Sequence, residues 1–228
     1  MVHCLQGTDI RAVLQIVAQV QRNERPRDEA FEEAWRLVTQ TNPLPATCGR
    51  VCPHPCEVHC NRRDKDAPVS INAVERFLGD WALSHRLAFT RLVADAHKEK
   101  IAVIGSGPAG LSFAYHLARR GYPVTIFEAL PIAGGMLAVG IPNYRLPRNI
   151  LEMEIDVARQ LGVEIKTNSR IGKDIKLPDL FNQGFRAIFI AVGAHNNQQM
   201  KIAGEALPGV VPGVFFLRDL NLGKEVKE

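Results

Sequence analysis

The sequence predicts two domains of different class: an all-α domain over residues 1–98, and an incomplete α/β Rossmann-like domain over residues 99–228. Three observations carry this. Before residue 98, apolar residues recur at three- and four-residue steps, the period of an amphipathic helix. Within that region Cys48, Cys52, Cys56 and Cys60 repeat at a four-residue step. After it, Lys100-Ile101-Ala102-Val103-Ile104 runs directly into the G-x-G-x-x-G of Gly105-Ser106-Gly107-Pro108-Ala109-Gly110, followed by an apolar helical pattern.

The first helix starts after Asp9, a residue suited to an N-cap, and presents Ile10, Val13, Leu14, Val17 and Val20 on one face. A polar turn containing Pro26 precedes a second helix with Phe31, Ala34, Trp35 and Val38 on its apolar side. Asn42-Pro43-Leu44-Pro45 stops it, because proline lacks the amide proton and restricts the residue before it. After Pro68 a third helix sets Ile71, Val74, Phe77, Leu78 and Trp81 toward a core. His97-Lys98-Glu99-Lys100 then leads into the first strand.

The second half alternates strand and helix. Ile101–Ile104 is a strand, Pro108–Arg120 a helix ended by Gly121, and Val124–Glu128 the second strand. Pro131–Pro147 is rich in glycine and proline and too long for a simple connector. Arg148–Leu161 reads as helix, Val163–Ile165 as strand, Leu177–Phe181 as a short helix and Ala187–Val192 as a buried strand. From Gly204 the chain reads as loop-rich.

The glycine turn has a specific chemistry. Gly105 permits the tight turn, Gly107 lets backbone approach a pyrophosphate, and Gly110 lets helix lie close on strand. The helix N-terminus faces phosphate charge. Glu128 closes the second strand eighteen residues past Gly110, where an acid accepts hydrogen bonds from ribose hydroxyls. A bound dinucleotide is therefore expected.

The 28 basic and 24 acidic residues are not blocked into runs, so the formal charge of +4 does not argue for nucleic acid. No apolar run is long enough to span a bilayer and the N-terminus lacks a signal-peptide core, which sets the expectation of a cytoplasmic protein. In that compartment grouped cysteines point to metal or redox chemistry rather than disulfides. Pro53 and Pro55 keep Cys52–Cys56 from being an ordinary helix interior, so the segment must wrap around something. Gathered thiolates suit an iron–sulfur cluster, tetrahedral zinc could use the same four residues, and a set of plain buried thiols ranks third. His54 and His59 lie inside the segment as further potential zinc ligands.

Taken together, Cys48–Glu57, Cys60-Asn61-Arg62, Pro68–Asn72, Ile104–Gly110, Gly134–Leu137 and Gly140–Pro147 resemble one family. It is that of the small (beta) subunit of NADPH-dependent glutamate synthase and the N-terminal region of dihydropyrimidine dehydrogenase. The resemblance covers essentially the whole sequence. It implies a helical [4Fe-4S] domain followed by an FAD domain, with hydride from NAD(P)H reaching FAD and electrons leaving through the clusters to a partner oxidoreductase subunit or domain.

Residue by residue, the resemblance implies that Cys4, Cys52, Cys56 and Glu75 hold one cluster. Cys60 serves another, and Cys48 opens the motif. It also implies that Gly105, Ser106, Gly107, Pro108, Ala109 and Gly110 meet the FAD pyrophosphate and Glu128 its ribose. Gly134, Gly135 and Met136 run beside the dinucleotide, Arg145 contacts it, Ile171 lies near adenine, and Gly193 ends the second flavin-contacting strand. The family's cysteines upstream of Cys4, its second glycine fingerprint for NADPH and its returning FAD segment are not found. The expectation is a fragment or a split subunit, inactive alone and with NAD(P)H bound only in the complete assembly. No catalytic acid, base or nucleophile is assigned. The alternative is a non-catalytic docking or adaptor subunit that binds a partner oxidoreductase through the helical domain.

Overall fold

The computed structural model describes residues 4–224. The chain forms two compact units. One comprises the chain up to Phe89 together with Asn149–Val157; the other comprises Thr90–Arg148 and the chain from Ala158.

In the first unit, α1 (Ile10–Gln21), α2 (Arg27–Val38) and α5 (Ile71–Ser84) follow the helical period of the sequence. Asp9 caps α1, its carboxylate accepting from Ala12 N at 3.1 Å. Val13, Phe31, Ala34, Val38 and Leu78 form the core, and the Phe31 ring meets Phe77 and Trp81 edge-on. Burying each large apolar side chain contributes roughly 1.5–3 kcal/mol.

Two short helices lie between α2 and α5, and the first of them corrects the sequence reading. Pro45 opens α3 (Pro45–Val51) and Pro55 opens α4 (Pro55–Val58). Proline is suited to the first helical position, where no intrahelical amide is needed, so these prolines start helices as well as stopping one. Between them Cys52 is extended and His54 adopts φ 42°, which breaks the helix as the proline spacing implied. Helices α3 and α5 pack backbone to backbone across Gly49 and Gly79. Arg50 forks onto Asp80 at 2.7 and 2.9 Å and also donates to Ala46 O.

The second unit is a parallel sheet in the order β3-β2-β1-β4, made of β1 (Lys100–Ile104), β2 (Val124–Phe127), β3 (Glu164–Lys166) and β4 (Phe185–Ile190). Ile101 pairs with Val124 on one side of β1, and Ala102 pairs with Ile188 on the other. Helix α6 (Pro108–Arg119) connects β1 to β2, α8 (Arg148–Gln160) lies between β2 and β3, and α9 (Leu177–Asn182) between β3 and β4. Strands β1 and β2 are buried nearly throughout.

Strand β4 departs from expectation: Arg186, Ala187 and Ile190 are exposed, and only Phe185 is fully buried. It is an edge strand, paired among the described residues with β1 alone. The long loop holds one turn of helix, α7 (Met136–Val139), and the segment read as loop-rich holds α10 (Gly213–Asn221). Asn221 Nδ2 donates to Val139 O at 2.8 Å, joining α10 to the end of α7. No helix among the described residues is long and apolar enough to cross a membrane.

Candidate functional site

Two sites are built, one in each unit. In the first, Cys4, Cys48, Cys52, Cys56 and Glu75 line one cavity of about 260 Å³, whose other walls include Ile10, Val13, Val38 and Val74 together with the polar Gln6, Thr8, His54 and Asn72. Helix α3 carries Cys48 and ends on Cys52, α4 carries Cys56, and α5 brings in Glu75. All five cysteines are free thiols. Cys60 lies apart, in a neighbouring open cleft that Cys4 and Cys56 also border, with His59 and Asp9.

The thiols differ in surroundings. Cys52 Sγ accepts from His54 N at 3.3 Å, and Cys60 Sγ accepts from Val69 N at 3.5 Å. Backbone donors, Val69 first, hold the Cys60 thiol below its usual range. Burial pushes the Cys48 thiol up to about 12, with the charge of Glu75 adding to it. Cys48 donates to Asn42 Oδ1 at 3.5 Å and accepts from Gln6. Cys48 Sγ thus both donates and accepts, whereas Cys52 Sγ accepts from a backbone amide. Glu75 is raised by burial and accepts from Asn42 Nδ2 at 2.8 Å.

The loop is tied down from several sides. Glu57 on α4 accepts from Asn72 N at 2.8 Å, replacing the missing side-chain cap of α5. Asn72 in turn donates to Cys48 O. No three His, Cys, Asp or Glu side chains among the described residues converge as a single metal ion requires. Sulfur and carboxylate donors gathered around one cavity fit an iron–sulfur cluster, whose irons take cysteine sulfur as ligand.

The second site is a cleft of about 360 Å³ at the C-terminal ends of the strands. Gly105, Gly107, Pro108, Ala109, Glu128, Gly135, Met136, Ile171 and Gly193 line it. Gly105 has φ +102°, and a Cβ there would meet Ala191 O at 2.3 Å, so only glycine fits. A Cβ on Gly107 would meet no protein atom within 4 Å; that open space is where a pyrophosphate can approach. Gly107 starts α6 without any side-chain cap, leaving first-turn amides available to an anion. The residues present therefore fit a dinucleotide.

Glu128 has more to do than the ribose contact read from sequence. It is 5% exposed. Its Oε2 accepts from Ser106 N at 2.8 Å and Ser106 Oγ at 2.5 Å, and its Oε1 accepts from Leu130 N at 2.8 Å. Ser106 Oγ accepts in turn from Gly134 N at 3.0 Å. Glycine turn, strand-end acid and Gly134 loop are one buried network. Three donors leave roughly one of the four lone-pair positions of the carboxylate for a ribose hydroxyl. Replacing Ser106 by alanine strands the Gly134 amide and removes a donor to Glu128. It should destabilise this unit by about 1–3 kcal/mol, read from the shift in its urea unfolding midpoint.

Arg145 is exposed and does not line the cleft. Arg148 is the arginine turned into this loop, donating to Leu137 O at 2.9 Å and to Ile141 O. Ser169, Arg170, His195 and Arg218 line the cleft without having been singled out in the sequence. Arg218 was hidden because α10 was missed; Pro212 before it and Gly223 after it, flanking an apolar run, were the available signal.

Residues 3–87 match the family model described as dihydropyrimidine dehydrogenase domain II, 4Fe-4S cluster. Residues 99–227 match the model of the pyridine nucleotide-disulphide oxidoreductases. Among curated proteins, the chain is 44% identical over 221 residues to the beta subunit of an NADP(+)-dependent formate dehydrogenase from Moorella thermoacetica, covering 87% of this chain and 31% of that protein. It is 44% identical over 206 residues to an NADPH-Fe(3+) oxidoreductase subunit beta of Geobacter sulfurreducens, covering 88% and 30%. To the small chain of Bacillus subtilis glutamate synthase [NADPH] it is 38% identical over 180 residues, covering 79% and 36%. The chain thus spans about a third of the length of these relatives.

Proposed function

Because the chain belongs to the pyridine nucleotide-disulphide oxidoreductase family and carries a 4Fe-4S domain ahead of that part, we propose that it is the electron-transfer module of a cytoplasmic NAD(P)H-dependent oxidoreductase. Its cofactors are FAD and a [4Fe-4S] cluster. Electrons entering from NAD(P)H leave through the cluster to a partner active site, in the manner of a glutamate synthase small subunit. The observation that carries this is the pairing, in one short chain, of the glycine-turn cleft with the cysteine-lined cavity.

The flavin supplies the exchange between two-electron and one-electron transfer. The protein's own part is binding and orientation. The glycine turn and the start of α6 hold the pyrophosphate, Glu128 keeps the turn closed, and Met136, Ile171 and Gly193 wall the cleft. Cys4, Cys52, Cys56 and Glu75 would hold the cluster. The relatives named as a formate dehydrogenase subunit beta and an NADPH-Fe(3+) oxidoreductase subunit beta favour this reading over a docking module without redox chemistry.

Anaerobic purification with iron and flavin supplied tests it. Flavin bands and a broad iron–sulfur absorption are expected together. Cys52→Ala and Cys56→Ala should each abolish the iron–sulfur band and leave the flavin stoichiometry unchanged. Stoichiometric zinc without iron would sink the cluster half of the proposal.

A further inference from the structure

Glu154 lies in the stretch of α8, Asn149–Val157, that belongs to the first unit. It is 3% exposed. Its Oε1 accepts from Ala46 N at 2.7 Å and its Oε2 from Thr47 N at 2.9 Å. Those amides belong to the first turn of α3, where Leu44 provides no side-chain cap. A residue more than a hundred positions away supplies the cap instead. Arg50 is the cation that attracts Glu154, but its guanidinium is committed to Asp80.

Burying a carboxylate is costly, and apolar side chains of similar size often fill such places with no loss of stability. An apolar side chain, however, would leave the Ala46 and Thr47 amides without acceptors. Two hydrogen bonds from one rigid carboxylate also fix where α3 begins. Cys48 follows Thr47 directly, and α3 ends on Cys52. Across the same turn, a Cβ on Gly79 of α5 would meet Ala46 N at 2.3 Å. Helix α3 is therefore pinned at one point between two helices.

We propose that Glu154 is a positioning residue for the iron–sulfur cluster: it sets the register of α3 that brings Cys52 to the cavity shared with Cys4 and Cys56, and its buried negative charge opposes electron uptake there. This rests on the ligand assignment proposed above. A glutamine in its place keeps the shape but can accept through one oxygen only, so its amide NH₂ must face an α3 amide, donor against donor.

The test compares the intact protein with its Glu154→Gln and Leu151→Ala variants, all reconstituted anaerobically. Leu151 is 2% exposed on the same helix and controls for a purely structural loss. Burial pushes Glu154 up to about 7, so the measurement is made on the alkaline side of that value. Glu154→Gln should shift the cluster midpoint potential to more positive values and release iron to a chelator several-fold faster. Leu151→Ala should lower the unfolding midpoint and leave the potential unchanged. An unchanged potential in Glu154→Gln overturns the proposal. Absence of iron from the unaltered protein overturns the cluster reading itself. Should Glu154→Gln fail to fold, hydrogen exchange in the unaltered protein decides. Ala46 and Thr47 amides protected like those of α5 support the cap, and exchange at loop rates refutes it.

Discussion

Replacing Gly110 by alanine should strip FAD from the protein and destabilise the Rossmann unit. A Cβ at Gly110 would stand 2.0 Å from Gly105 O and 3.2 Å from Val103 Cγ1. The first of these is backbone, in a turn that itself has no slack: Gly105 is held at φ +102° against Ala191 O. Helix propensity alone would favour alanine by about 1 kcal/mol, but overpacking of this kind costs about 1–3 kcal/mol. The clash wins. Helix α6 must move off β1, and the amides at its start move with it. FAD affinity should fall at least about tenfold, equivalent to about 1.4 kcal/mol, as read by flavin fluorescence titration. Gly107→Ala separates the two effects. Its methyl meets no protein atom, so the urea midpoint should hold while FAD binding is lost. Normal FAD binding by Gly107→Ala would mean that this turn does not hold the pyrophosphate.

Gly49→Ala should have an effect of similar size on the other unit. Its Cβ would lie 2.4 Å from Arg76 Cα, again backbone, so α3 and α5 must separate. Separation weakens the Arg50–Asp80 fork, the Asn72 bond to Cys48 O and the Asn42 bond to Glu75 at once. The expected loss is about 1–3 kcal/mol of stability, together with most of the bound iron. Gly79→Ala acts on the same helix pair through Ala46, so the double variant should cost less than the sum of the two single ones. Unfolding midpoints and iron content measure both. An unaltered midpoint and full iron in Gly49→Ala would show that the two helices do not touch there.

The elements read correctly from sequence are those whose signal is local and periodic. Val13, Phe31, Ala34, Val38 and Leu78 were picked out by helical spacing and form a core. Pro45 reads from sequence as part of a helix stop, yet its missing amide suits the first turn of the next helix. The run Ala187–Val192 was read as buried because it is apolar, but an edge strand is covered only where something packs on it. Helix α10 was lost among glycines and prolines, and Arg218 with it.

By itself the sequence determined the glycine turn and the cysteine step, and with them the two kinds of cofactor chemistry. Both are short-range patterns, in which a few residues dictate backbone shape and donor type. The family resemblance already groups Cys4, Cys52, Cys56 and Glu75 and sets Cys60 apart; the tertiary structure adds that Cys48 lines the same cavity as those four and that Cys60 lies in a neighbouring cleft bordered also by Cys4 and Cys56. It also decided that Glu128 is spent largely on the turn itself and that Glu154 reaches back to cap α3. The two carboxylate roles rest on a few hydrogen bonds between residues 22 to 108 positions apart. Periodicity carries no record of such pairings, because they are fixed by how helices pack rather than by how any one of them is patterned.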